Sequence, residues 1–422
     1  MTRSLRPVAA CAAAGVVAAL TAACGGQVPA PSAGSMPPGA SMTMHPFETA
    51  GATTTPSMAP QPTDPFSSLV DLGTEVAVGV LSPEETGEIL EFASDGASVL
   101  YSSGKAEDVA RGDAAPDLWR STPFSDDPPE LVWRNPARDH SIVGIGGDAG
   151  AIAFVEMPLT GERAWNLWFI PRHEEEAILL DTHPGDEGVS SLVPSFSVGE
   201  LEVVWTAFDR GPDGPVSQLL FARAPRWEPQ LLLERRAAEA ELWLPTIAGS
   251  TVAFTEVVYA ADRQSDERRM HVLHIGDAEG PRRVDASGRA TMPVLVPGAL
   301  FWKEAGVGFS MFNWGRMHRY DLESGAVTEV DTSPQEHVNY PSGGGRFLAW
   351  WGADSFQFGV HDHLTGESRL IERNPHSSDT SVLRPHLAGD LIVWLRVIGS
   401  GADNDAELRY MMLPAAHELR GR

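Results

Sequence analysis

Short apolar strands recur along this chain, each with an aromatic residue near its middle. They are Val99-Leu100-Tyr101, Ala153-Phe154, Val204-Trp205, Ala253-Phe254, Phe301-Trp302, Ala349-Trp350 and Val393-Trp394. The aromatics stand 53, 51, 49, 48, 48 and 44 residues apart. A second marker keeps the same register: Pro194, Pro245, Pro293, Pro341 and Pro385 precede their aromatics by 11, 9, 9, 9 and 9 residues. Two independent markers in step identify an internal repeat, and a repeat of this period governs the whole fold.

Each unit reads as four strands. The first carries the proline and ends at a glycine, as in Leu244-Pro245-Thr246-Ile247-Ala248-Gly249, and the second holds the aromatic. A variable loop leads to a third, such as Asp117-Leu118-Trp119, Asn166-Leu167-Trp168 or His318-Arg319-Tyr320. A tight turn leads to a fourth, such as Glu130-Leu131-Val132-Trp133 or Arg369-Leu370-Ile371. In two units this turn has the form Asp-x-x-Ser/Thr-Gly, Asp321 to Gly325 and Asp362 to Gly366, with glycine where a positive φ is needed. Four antiparallel strands per unit predict an all-β chain, a seven-bladed β-propeller over residues 65–422. The last unit has a third strand, Leu408 to Met411, but little sequence for a fourth. The strand Thr74 to Val80 is expected to complete that blade and close the ring.

The stretch Phe92-Ala-Ser94-Asp95-Gly96-Ala-Ser-Val99-Leu100-Tyr101, followed by Asp117-Leu118-Trp119, resembles the repeat of TolB-like propellers. Gly146-Gly147-Asp148-Ala149-Gly150 through Phe154, with Asn166-Leu167-Trp168, is a fainter copy. The resemblance covers most of residues 75–412. It implies a scaffold and is nearly silent on activity.

The N-terminus follows a different pattern. Arg3 and Arg6 precede an apolar stretch from Pro7 to Ala23 that ends in small residues, the layout of a secretory signal over residues 1–23. Leu20-Thr21-Ala22-Ala23-Cys24 resembles the lipobox of bacterial lipoproteins, with Thr21 where an aliphatic residue is usual. The resemblance implies acylation of Cys24 and an extracytoplasmic protein, lipid-anchored to the cell membrane or outer membrane. Residues 24–64 are rich in Pro, Ser, Thr, Ala and Gly with almost no charge, so they read as a disordered linker. Met36, Met42, Met44, His45 and Met58 within it are read as scattered linker residues, not as a Cu(I) site.

Charge narrows the partners. The chain has a formal net charge of −26, with no basic footprint for nucleic acid. Its two cysteines, Cys11 in the signal and Cys24 under lipid, leave the exported domain no disulfide. A monomer without cofactor or metal is expected, with an envelope protein or glycan as partner.

Candidate chemistry is sparse. No Gly-x-Ser-x-Gly elbow and no His-Glu-x-x-His occur. His361-Asp362-His363 has metal-like spacing, but Asp362 fills the turn position that Asp321 fills one unit earlier. Asp403-Asn404-Asp405 lacks the spacing of a calcium loop. Propeller ligands sit over the central channel, where the inner strands offer His140, Trp243, His337, Asn339, Tyr340, Arg384 and His386. The loop at 304–316 carries Phe309, Met311, Phe312 and Trp314 and is expected to dock a partner. The leading expectation is a binding or scaffolding module without chemistry of its own. The alternative is a lyase, lactonase or other hydrolase with its site over the channel.

Overall fold

The structure is a computed structural model. It describes residues 78–413 apart from 83–85, 105–115, 137–138, 160–163, 175, 186–192, 261–265, 306–314, 333–336, 353–356, 373–379, 383–384 and 399–404. Cys24, the signal and the linker therefore lie outside the described residues, as do Phe309, Met311, Phe312, Trp314 and Arg384.

The architecture is all-β and antiparallel. Four sheets have four strands each, in chain order: a first from Ile89 to Trp133, a second from His140 to His183, a third from Phe196 to Arg236 and a fourth from Ala240 to Arg283. An eight-stranded sheet follows, from Ala290 to Glu372. Its two halves, each with four strands, are joined by a single residue pair, Gly315 with Val338. The last sheet has Thr380–Val382 and His386–Ala388 on Leu391–Ile398, then Asp405–Met412. Its fifth strand comes from the other end of the domain: Val78–Leu81 runs antiparallel to Asp405–Met412.

Successive first strands touch. Ile89–Ser94 meets His140–Asp148, which meets Phe196–Val198, and the contacts continue through Ala240–Ala248, Ala290–Val296 and Val338–Gly344 to His386–Ala388. His386–Ala388 in turn touches Ile89–Ser94. The approach is too close for side chains at places: a Cβ on Gly344 would lie 2.3 Å from the Gly389 amide nitrogen. Gly389 itself sits at φ +53, which glycine adopts without steric cost.

The core lies between sheets. Phe154 packs with Leu100 of the sheet before it, Trp205 with Phe169, Phe254 with Phe221, and Trp302 with Met270. Trp350 packs with Phe301, Trp394 with Phe358, and Tyr101 with Val393 and Leu408 of the last sheet. The repeated aromatic is thus the residue that couples each unit to its predecessor. Burying a side chain of this size favours the folded state by several kcal/mol, of order ~3.

The repeated proline marks something the periodicity did not reveal. Leu244, Met292 and Tyr340, each just before a proline, have φ of +49, +56 and +44. The pairing of first and second strands shifts at the same places, between Trp243 and Thr246, Thr291 and Val294, and Asn339 and Ser342. Each is a β-bulge, where a residue lacking an amide hydrogen does no harm to the ladder. Three residues past the bulged position's start, a hydroxyl stitches neighbouring sheets. The amides of Ile247, Leu295 and Leu387 donate to Ser197, Thr246 and Ser342 at 3.3, 3.2 and 2.8 Å. Ser197, Thr246 and Ser342 each stand eight residues before their unit's aromatic.

Candidate ligand-binding site

The channel candidates on the described first strands are already engaged. His140 opens the second sheet and its Nδ1 lies 3.0 Å from Glu156 Oε1. Glu156 is buried and also accepts from Asn166 Nδ2 at 3.1 Å and Trp168 Nε1 at 2.9 Å. Trp243 donates its indole N–H to Glu241 at 2.9 Å. Asn339 is buried and accepts from Lys303 Nζ at 2.6 Å. Tyr340 occupies a bulge, with its ring 6.0 Å from that of Trp351. His386 is half-buried at the start of its strand, and His337 is exposed just before Val338–Gly344.

Lys303 was not among the expected site residues. It is fully buried, one of only two lysines in the chain, and burial pushes its ammonium down to about 7, with Arg268 adding repulsion.

A filling set recurs between sheets. Two residues after the aromatic stand Glu156, Glu256 and Glu304, of which the first two are buried and Glu256 reaches the preceding sheet. Opposite each aromatic on the third strand stands Trp168, His271 or His318. The imidazole of His271 stacks on Phe254 at 5.3 Å and that of His318 on Trp302 at 5.7 Å. Each imidazole Nε2 lies 3.1 Å from its glutamate. An arginine completes the set: Arg235 of the third sheet reaches Glu256 at 2.7 Å, and Arg289 reaches Glu304 at 2.5 Å. His271 and then Arg235 hold the Glu256 carboxyl down at about 2 despite its burial. A glutamate at constant offset from the aromatic was legible in the sequence. Its role was not, since nothing there shows which neighbour it faces.

Carboxylates also gather at the turns between first and second strands. Asp95 is buried and accepts from the Ala97 and Ser98 amides at 2.9 and 2.6 Å, capping its own turn. Burial pushes Asp148 up to about 6, and Glu200, Glu202 and Asp95 add repulsion. Burial also raises Glu202, against the pull of Arg223. The two Asp-x-x-Ser/Thr-Gly turns are built as their spacing implies. Asp321 accepts from the Ser324 amide at 2.9 Å, and Asp362 accepts from the Leu364 amide at 3.0 Å while pairing with Arg346. His361 is buried, which pushes it down to about 4, with its Nδ1 3.1 Å from Ser368 Oγ. Among the described residues, no group of three or more His, Cys, Asp or Glu is arranged to hold a metal ion.

No family model matches the sequence, and no curated protein matches it. Solved structures do. An oligogalacturonate lyase from Vibrio parahaemolyticus aligns over 82% of this chain and 96% of its own, at 14% identity and a TM-score of 0.51. The β-propeller domain of the Trilobed protease from Pyrococcus furiosus aligns over 78% and 95%, at 8% identity and a TM-score of 0.50. The fold is that of a β-propeller. A prolyl endopeptidase also aligns, over 79% of this propeller chain but only 46% of its own length, at 12% identity and a TM-score of 0.51. At such identities the likeness concerns the propeller and leaves its ligand open.

Proposed function

We propose that this protein is a lipid-anchored, seven-bladed propeller that binds an envelope protein or glycan outside the cytoplasm. The blade count is supported by the core. Seven apolar clusters each join two consecutive four-stranded units, and one joins the last sheet to the first. In this reading the eight-stranded sheet is two blades, and Val78–Leu81 closes the ring on the last. Anchoring rests on the signal layout and Cys24, followed by a linker that holds the domain off the bilayer.

One observation carries the binding reading: aromatic, imidazole and amide side chains stand on four of the seven first strands, His140–Asp148, Ala240–Ala248, Val338–Gly344 and His386–Ala388. His140, Trp243, Asn339 and Tyr340 are held by partners within the fold, which fixes their orientation without catalytic demand, and His386 is half-buried on its strand. The test is capture from native envelope with the full-length protein, beside Trp243→Ala, His386→Ala and a form lacking 304–316. A partner retained by the parent and lost from any of the three supports the module. If nothing is retained by the parent, the module reading fails.

A second reading, an enzyme, is favoured by Asp148. A carboxyl near 6, flanked by three other carboxylates, is poised to exchange a proton close to neutrality. Turnover of an envelope polysaccharide that disappears in Asp148→Asn, with the fold intact, would decide for it.

A further inference from the structure

The interface between the second and third sheets is built on the same plan as its neighbours, but its filling set is missing. Where the fourth sheet presents Phe254, Glu256, His271 and Arg269, the third presents Trp205, Ala207, Leu220 and Gln218 at matching positions of the ladder. Alanine, leucine and glutamine replace glutamate, histidine and arginine. The volume they leave is a cavity of about 390 Å³, lined by Ala207, Gln218 and Leu220 on one side. Trp165, Asp181 and His183 of the second sheet line the other, and Phe208, Asp209, Arg210, Pro184 and Pro229 form the rim.

Its polar groups are mixed. Trp165 is 2% exposed, and its indole N–H has no hydrogen-bond partner among the described residues. A buried donor without an acceptor costs free energy, and the residue that carries it lines the cavity. His183 stacks on Trp165 at 5.8 Å, and its Nδ1 accepts from the Gly185 amide at 3.0 Å, which leaves the ring proton on Nε2. Asp181 accepts from Trp205 Nε1 at 2.7 Å and from the Thr182 amide at 2.8 Å. Burial raises the Asp181 carboxyl, and exposed Asp209 adds a smaller repulsion. Donors and acceptors therefore alternate around one space whose remaining walls are apolar.

We infer that this cavity binds an uncharged sugar unit of a glycan. A hydroxyl both donates to a carboxylate and accepts from an N–H, so a neutral polyol suits a lining in which Asp181 and Asp209 face His183 and Arg210, whereas a lone anion or cation meets like charge on one side. The carbon face of a pyranose suits Phe208, Leu220 and the two prolines. The volume falls in the range of small-ligand sites, ~300–1,000 Å³. A uronate would find Arg210 at the rim but also Asp181 and Asp209, and the net charge of −26 adds long-range repulsion. The inference goes beyond the binding-module reading: it assigns a ligand class to a different place from the channel residues and is tested separately from it.

The experiment uses full-length protein in a detergent without a sugar headgroup. Cellobiose, chitobiose and digalacturonate are the probes, followed by saturation-transfer NMR and tryptophan fluorescence. At least one neutral disaccharide is expected to bind, with digalacturonate weaker by about tenfold or more. Asp209→Asn, on the exposed rim, and Trp165→Phe, which keeps a ring but removes the donor, should each weaken it about fivefold. Absence of neutral-sugar binding, equal binding of digalacturonate, or wild-type affinity in both variants overturns the inference. Envelope capture separates the two claims. A captured partner unaffected by these variants sinks the cavity and leaves the module standing. Sugar binding lost in the variants, with no captured partner, does the reverse.

Discussion

Two neighbouring interfaces of this propeller use the same parts to opposite effect. Between the third and fourth sheets, Glu256 draws in His271 and Arg235, and the gap beyond Phe254 is filled by charge that satisfies itself. Between the second and third sheets, Ala207 stands in the place of that glutamate, and the gap beyond Trp205 stays open. Both interfaces keep their aromatic, fully buried and packed on the sheet before. The aromatic position thus serves coupling between units, while the position two residues on differs between these two interfaces, glutamate in the filled one and alanine beside the cavity. A repeat fold separates these duties because each unit supplies the same scaffold and differs at few places.

The largest effect should come from removing what the two interfaces share. Trp205→Ala deletes a fully buried indole and the bond to Asp181, and should cost about 3–5 kcal/mol in urea unfolding. Glu256→Ala makes the closed interface resemble the open one, leaving His271 and Arg235 without their acid. A loss of roughly 2–4 kcal/mol at pH 7 is expected. Its pH dependence has a fixed sign. The folded-state value is about 2 against 4.5 unperturbed, so the stabilisation is complete above 4.5 and fades as pH falls through 2. Parent and variant stabilities that stay apart at the acid limit would refute this account.

The converse graft should do less. Ala207→Glu places a third carboxylate beside Asp181 and Asp209 without the arginine that Glu256 enjoys. It should destabilise by about 1–2 kcal/mol at pH 7, recover on acidification and block any ligand of the cavity. An Ala207→Glu protein as stable as the parent at pH 7 would mean the open interface tolerates the plug. Asp148→Asn, on the turn of the second sheet, should have the smallest effect and the opposite direction. Burial raises that carboxyl to about 6, so the folded state favours its neutral form, and this advantage is lost as pH rises through 6. The variant should gain about 1 kcal/mol at pH 7 and nothing below 3.8, read from thermal melts at both values.

Much of this was legible in the chain. The seven aromatics, the strands around them and the two Asp-capped turns follow from spacing and turn chemistry, because a β repeat writes its buried positions at a constant period. The offset glutamates at 156, 256 and 304 were also visible, but not their partners. Arg235 and Arg289 reach them from other strands, at separations that no local pattern marks. The bulges at Leu244, Met292 and Tyr340 were masked for another reason. Proline there reads as the start of a strand, and only the ladder shows that pairing shifts around it. His140, Trp243 and Asn339 were picked for their chemistry alone, and their engagement by Glu156, Glu241 and Lys303 comes from the fold.

The sequence by itself determined the repeat, the all-β class, the aromatic that couples each unit to the one before, and the net charge of −26. These are properties of composition and period, which need no neighbour to be defined. The tertiary structure decided the rest. It set the burial that pushes Lys303 down to about 7 and Asp148 up to about 6, and the hydroxyls that stitch one innermost strand to the next. It also made Ala207 the floor of a cavity, because an alanine leaves a space only where two sheets would otherwise have met across a glutamate.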